Sequence, residues 1–345
     1  MGNSVSGKCF AGLDIGSHTT RLLIAQKLGT ELITLRAERR ITRLAEGFQR
    51  AGAITQEAQR RNIEALKEYV GILRGFEVEK ISCGATGVVR RAENSAEVLE
   101  RIGAETGIEC RVLSEETEAT LSAKGILSAI RPDGKEPLMF DVGGGSTEFV
   151  MPGTGDFVAC ASRPLGAATL SEAYLRDDPP GIEAVNRAAI EARRQIDSAK
   201  VQLYESSHKT GTIIPSQGLL LAGTAGTATT LTAMKLALKR YDPYLVNGVV
   251  LTLDWLSSTI GSLALMPVAE RRMIAGLEPG REDIILGGTV IVSQILSCFG
   301  SDSFIVSDAG LLEGLVVELA ERESGLPAGA ASGPRTDLTW RLSKR

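Results

Sequence analysis

Only two histidines, His18 and His208, occur in the whole 345-residue chain. Imidazole metal centres draw on several histidines and Ser–His or Cys–His catalysis needs one well placed, so both classes are disfavoured from the start. Cysteine is almost as sparse: Cys9, Cys83, Cys110, Cys160 and Cys298 lie far apart, with no C-x-x-C pair. That spacing suggests neither a disulfide framework nor a thiolate zinc site, and it fits a reducing cytoplasm. Positive charge is not in excess, since 38 Lys and Arg against 42 Asp and Glu leave a net charge of −4. A dedicated nucleic-acid binder carries a basic footprint, which is missing. An anionic ligand would have to be met by a metal or by a few placed arginines. No apolar run approaches a membrane span, and no charged-then-apolar signal peptide opens the chain. "MGNSVS" fits the loose N-myristoylation pattern but reads as a short disordered start. No G-x-x-x-x-G-K-[ST] occurs, which excludes a P-loop.

What is present is an ordinary soluble composition, 43% hydrophobic and 23% charged, in a chain long enough for roughly two domains. Residues 8–39 read as three strands separated by short turns. An amphipathic helix follows over 54–73, with Thr55 as its N-cap. Next come the strand and turn of "EKISCGATGVVR", a helix from "SAEVLERIGAETG", the strand "IECRVL" and a helix opened by Ser114. "RPDGKEP" at 131–137 is the best linker. Beyond it the order repeats: strand, Asp–Gly turn, two strands, then helices, one of them over about 182–206. The expected fold is therefore α/β, a duplicated domain with a cleft between the copies. The first domain is set at 1–131 and the second at 132–322, with the final helix, about 309–322, able to pack back on the first. The segment 323–345, rich in Gly, Pro and Ala without a period, is expected to be a disordered tail.

Two glycine–hydroxyl turns carry the chemistry. "FDVGGGSTEF" (140–149) offers Gly143, Gly144, Gly145, Ser146 and Thr147, and "LDIGSHTTRL" (13–22) offers Gly16, Ser17, His18 and Thr19. Such turns present backbone N–H groups and hydroxyls without side-chain bulk, which suits a phosphate. Asp14 and Asp141 stand just before the turns and Glu148 just after the second, and carboxylates beside phosphate donors are how magnesium is commonly held. The alternative is a pair of plain hairpins whose acids cap turns, but two turns with the same order of residue types favour the phosphate reading. "LAGTAGTATTL" (221–231) is a third such loop, opening a helix; it serves close packing or an anion equally well. Arg90 is placed to reach a phosphate bidentately or to lie solvated. Glu115, Glu116 and Glu118 open a helix, where acids complement the dipole, or where one acts as general base on an attacking water.

With these turns in place, the chain resembles the exopolyphosphatase and guanosine pentaphosphate phosphohydrolase family. The resemblance rests on eight ordered segments over about residues 8–322: "LDIGSHTTRLLIA", "RITRLAEGF", "ATGVVRRAEN", "VLSEETEATL", "FDVGGGSTEFV", "SRPLGAATLSEAYLRDDPP", "LAGTAGTATTL" and "REDIILGGTVIV". It implies two ribonuclease-H-like domains of the actin-like ATPase superfamily flanking a phosphate cleft. Position by position, it implies Glu118 as the catalytic glutamate and Asp141 and Glu148 as acids for Mg2+ or another divalent cation and for water. It further implies Ser17, Arg90 and Gly143 to Thr147 as phosphate contacts. The substrate implied is inorganic polyphosphate or guanosine pentaphosphate, and a homodimer is the family expectation. His18 and Thr19 replace the usual Asn-Ser, Arg91 a Glu, Glu115 a Gly and Thr120 an Arg, all close to these positions. A superfamily ATPase or kinase, and a sensor that binds without turnover, remain the readings from other classes.

Overall fold

The structure, a computed structural model, describes residues 7–130, 132, 134–153, 158–210, 218–323, 334 and 336–341; the "MGNSVS" start and most of the 323–345 segment lie outside them. Two compact units divide the chain. Unit 1 comprises Met1–Ser128 and Ala309–Arg341, and unit 2 comprises Ala129–Asp308 and Leu342–Arg345.

Unit 1 opens with β1 (Lys8–Ile15), β2 (Thr19–Leu28) and β3 (Glu31–Ile41) as an antiparallel meander. After the short α1 (Phe48–Ala51) comes α2 (Gln56–Leu73), whose N-cap Thr55 accepts from the Ala58 N–H at 3.3 Å. Then β4 (Val78–Ala85), α3 (Val88–Arg91), α4 (Ser95–Thr106), β5 (Cys110–Val112) and α5 (Glu115–Ala129) follow, with β4 parallel to both β1 and β5. Alternation along β1 sends Ala11, Leu13 and Ile15 into the core shared with Ile63 and Leu66 of α2 and Ile102 of α4. The opposite face meets α13 (Leu311–Glu323), and Gly12 is needed there: a Cβ would lie 2.9 Å from the Leu312 carbonyl oxygen.

Unit 2 repeats the scheme with β6 (Glu136–Val142), β7 (Thr147–Pro152), β8 (Val158–Arg163), α6 (Ala167–Tyr174), α7 (Gly181–Thr210), β9 (Leu219–Thr224) and α8 (Ala225–Lys235). It continues through α9 (Pro243–Val246), β10 (Val250–Thr252), α10 (Leu253–Ala264), α11 (Val268–Arg271), α12 (Ile285–Cys298) and β11 (Ser303–Val306). The sheets run β3-β2-β1-β4-β5 in unit 1 and, in the matching sense, β8-β7-β6-β9-β11 in unit 2. In both, the first three strands are antiparallel and the last two are added in parallel, which is the order expected of ribonuclease-H-like domains. Edge strands differ: β10 adds antiparallel to β11, and β12 (Thr339–Trp340) adds parallel to β3.

Three boundaries are set by the packing. The units part at Ser128/Ala129, and Glu136 and Pro137 already pair with Leu219 and Leu220, so the linker is shorter than 131–137. The last helix, α13, belongs to unit 1, and its face fills the space left by Gly12. The tail is not featureless: the Thr339 and Arg341 N–H groups donate to the Thr30 and Leu32 carbonyls at 2.9 Å, and Trp340 is buried. A two-residue strand has no period to read; the free edge of β3 creates it.

Candidate active site

In unit 1 the first glycine turn joins β1 to β2 and is closed by the Gly16 N–H donating to the Thr19 carbonyl at 2.9 Å. Its own carbonyls are tied down by the following loop. Thr42 and Arg43 N–H donate to His18 O at 3.0 and 2.9 Å, and Ala45 N–H to Ser17 O at 2.9 Å. Among the described residues, the N–H groups of Ser17 and His18 donate to no protein acceptor. The turn therefore turns its oxygens inward and leaves its amides for something else. The Ser17 hydroxyl accepts from the Val88 N–H at 3.0 Å. Gly87 permits this contact, because its φ is +51° and a Cβ would sit 2.5 Å from Ser17 Oγ.

The acids of unit 1 gather around α5. Ser114 caps that helix by accepting from the Thr117 N–H at 3.1 Å, which sets Glu118 one turn in. Arg90, at the end of α3, donates through Nη1 to Glu118 Oε2 and to the Leu113 carbonyl, both at 2.8 Å. Its Nη2 stands 3.5 Å from Glu115 Oε1, and Glu115 is otherwise exposed. Burial pushes the Glu118 carboxyl above its ordinary value; Arg90 pulls it back, and Asp14 and Glu115 push it further up. Asp14 is 4% exposed; its Oδ2 accepts from Arg21 Nε at 2.9 Å, while its buried Oδ1 has no hydrogen-bond partner.

In unit 2 the second turn is built on the same plan with a different clamp. Gly143 N–H donates to Ser146 O at 2.9 Å, and the first amides of α6 hold the turn's carbonyls. Ala167 N–H donates to Gly143 O at 2.8 Å and Ala168 N–H to Gly144 O at 2.9 Å. Gly166 lets α6 come this close, since a Cβ there would lie 2.2 Å from Gly144 O. The N–H groups of Gly144, Gly145 and Ser146 donate to no acceptor among the described residues. Gly145 needs its missing side chain for nothing inside the chain: its φ is not in the left-handed region, and a Cβ would meet no atom within 4 Å. Thr147, expected among the phosphate contacts, is fully buried and its hydroxyl donates to the Leu165 carbonyl.

Sheet register aligns the acids of unit 2. Asp141 lies opposite Glu148, Glu148 opposite Ser162, and Asp141 beside Thr224 on its other flank. Ser162 Oγ donates to Glu148 Oε1 at 3.2 Å. Directly opposed carboxylates repel each other, a cost that a cation would relieve. Among the described residues no cluster of three or more His, Cys, Asp or Glu could hold a metal by itself. Magnesium needs no such cage, since it is usually held by one or two carboxylates with waters and substrate phosphates. Within unit 2 the opposed pair Asp141/Glu148 supplies oxygen donors of the kind that ion takes, and within unit 1 the orphaned Asp14 Oδ1 is another such donor.

Residues 23–323 match the profile of the Ppx/GppA phosphatase family. The chain belongs to the Ppx/GppA family. It is 30% identical over 324 residues to exopolyphosphatase 2 of Mycobacterium tuberculosis, covering 90% of this chain and 98% of that one. It is also 30% identical to a bifunctional 3-dehydroquinate synthase/phosphatase of Fusobacterium nucleatum over 91% of this chain. That alignment covers 47% of the relative, so the chain spans about half of its length. Among solved structures, the Ppx/GppA member of Aquifex aeolicus superposes with a TM-score of 0.79 at 32% identity, over 92% of this chain and 98% of that one.

Within this Ppx/GppA chain, several site-shaping residues were not legible from motifs. Arg21 pairs with Asp14 because they face each other in the β1–β2 register, a cross-strand signal that a hairpin reading contains. Arg43 is exposed, with φ +46°, and its own N–H is part of the loop's grip on His18. Ala225, the first residue of α8, also holds a left-handed φ of +60° in the "GTAGT" loop, where glycine would be the unstrained choice. Neither strain has a sequence signature.

Proposed function

We propose that this chain is a divalent-metal-dependent phosphoanhydride hydrolase that removes terminal orthophosphate from inorganic polyphosphate. One observation carries the reading: in both glycine turns two carbonyls are held from inside, while the tip amides of Ser17 and His18 and of Gly144 to Ser146 donate to no acceptor among the described residues. A turn arranged that way receives phosphate oxygens and nothing more specific, and polyphosphate supplies such oxygens at every repeat.

Glu118 is the group that takes the proton. Its burial raises its affinity for a proton, which improves a general base, and the Arg90 contact at 2.8 Å holds the carboxylate in one orientation. Water attacks the terminal phosphorus as Glu118 accepts its proton. The P–O bond to the rest of the chain breaks, and orthophosphate leaves together with a polymer one unit shorter. Asp141 and Glu148 in unit 2, and separately Asp14 in unit 1, are the carboxylates offered to magnesium. When bound, the ion would neutralise phosphate charge and align the leaving oxygen. Five cysteines that form no disulfide among the described residues support a reducing, cytoplasmic setting.

The test is release of orthophosphate from long-chain polyphosphate and from guanosine pentaphosphate, each with and without magnesium. Metal-dependent release from polyphosphate is expected. Release from guanosine pentaphosphate alone would transfer the assignment to that substrate, and release from neither rejects the hydrolase reading.

A further inference from the structure

Two of the cysteines, far apart in sequence, stand side by side in the sheet of unit 1. Cys83 of β4 is the register partner of Cys110 of β5, and among the described residues no other cysteine faces a cysteine across a ladder. Their side chains leave the sheet on the same face. On β5, Arg111 reaches Glu318 of α13, Nη2 to Oε2 at 2.6 Å, so its neighbour Cys110 turns away from α13. On β4 it is Gly84 that faces Leu315 of α13, so Cys83 likewise turns to the other side. Both cysteines pack into the core that holds Val98 and Ile102 of α4, where the two thiols are in hydrogen-bond contact. Cys83 is buried, whereas Cys110 is half-buried on the edge strand of the sheet.

We infer that Cys83 and Cys110 are a redox couple, a modification site at which a peroxide closes a reversible disulfide between β4 and β5. Neighbouring strands lie about 4.7–4.9 Å apart, inside the range of about 4.4–6.8 Å that separates the Cα atoms of a disulfide. Both side chains already point the same way, so neither strand has to turn over. Access divides the roles. The Cys110 sulfur, at the edge, attacks one peroxide oxygen; the O–O bond breaks, the thiol proton leaves with the departing hydroxide as water, and Cys110 becomes a sulfenic acid. Burial holds the Cys83 thiol well above its ordinary pKa, so it stays protonated and unreactive until that step is done. The Cys83 sulfur then attacks the Cys110 sulfur, the S–O bond breaks, and a second water leaves. In sum, two thiols give up two protons and two electrons, and one peroxide takes them to become two waters. A dithiol returns both and reopens the pair. Closed, the bond clasps a three-residue edge strand that is otherwise held by a short ladder. The inference is independent of the hydrolase reading, because neither cysteine belongs to the turns or the acids.

Mass spectrometry of the folded full chain, after treatment with a slight excess of hydrogen peroxide, tests it. A loss of about 2 Da is expected, with a proteolytic peptide joining Cys83 to Cys110, and dithiothreitol should reverse both. Cys110→Ser should abolish the loss, and Cys9→Ser/Cys160→Ser/Cys298→Ser should keep it. The peptide map of the wild type decides the point even where a variant fails to fold. In hydrogen exchange, the amides of β5 should exchange at least about threefold more slowly after oxidation, because the bond opposes local opening of the edge. A wild type whose thiols all stay free overturns the inference. So does sulfinic or sulfonic acid at Cys110 without the joined peptide, or a disulfide that joins any other pair. A joined peptide with unchanged exchange over β5 overturns the clasp.

Discussion

Glu118→Gln tests the proposed base apart from its surroundings. The amide keeps the length of the side chain and a carbonyl oxygen that can still accept from Arg90 Nη1, now 2.8 Å from Oε2. What is lost is proton acceptance, which is worth about 10²–10⁴ in rate, or about 3–5 kcal/mol of barrier. Turnover of polyphosphate should fall by that factor while binding changes little. The acid limb of the wild-type pH–rate profile should lie above the ordinary carboxylate range, because burial raises the Glu118 carboxyl, and it should vanish in the variant. Stability should move the other way. A carboxyl whose pKa is raised on folding contributes stability that is complete below its unfolded pKa and is lost as pH rises through the folded value. At neutral pH the wild type therefore carries a penalty that glutamine does not, so Glu118→Gln should melt no lower than wild type. The two melting temperatures should converge as pH falls below the ordinary glutamate range. A variant with turnover within about threefold of wild type would remove Glu118 from the chemistry. Loss of turnover together with an early melt would mean that Glu118 supports the fold instead.

Three further outcomes follow from the geometry. Gly145→Ala should leave stability within about ±0.5 kcal/mol, yet raise KM, because the added methyl meets no atom of the chain and only an approaching ligand; Gly166→Ala should destabilise by about 1–3 kcal/mol or more, as its methyl strikes Gly144 O. Equal behaviour of the two in thermal melts would refute the distinction. Asp141→Asn should raise the magnesium concentration needed for half-maximal phosphate release, and an unchanged titration would exclude Asp141 as a ligand. Lys124→Met should cost about 3–5 kcal/mol in urea unfolding, because it strands Glu321, whose Oε2 lies 2.6 Å from Nζ in a pair 1% and 3% exposed; Lys124→Met/Glu321→Leu should recover most of that loss.

The chain alone determined whatever depends on near neighbours. Strand alternation, the caps at Thr55 and Ser114, and the two Gly–hydroxyl turns are local devices, so β1 to β3, α2, α5 and the duplicated order were readable before any coordinates. The acids and glycines of the turns were legible because their residue types recur in the same order. What tertiary structure decided are contacts between residues far apart in sequence. Arg90 meets Glu118 only because β5 lies beside β4 and delivers Leu113 and α5 to the end of α3. The first amides of α6 return to claim the carbonyls of Gly143 and Gly144, while the amides of Gly144 to Ser146 meet no acceptor among the described residues, and Gly166 marks that contact with no motif of its own. Thr147 looks like its neighbour Ser146 in sequence, yet the Leu165 carbonyl takes its hydroxyl into the core. The last helix follows the second unit in sequence and belongs to the first, where Gly12 leaves room for its Leu312 and Val316. Sequence periodicity records which side of an element is apolar; which partner covers that side is a property of the packed chain.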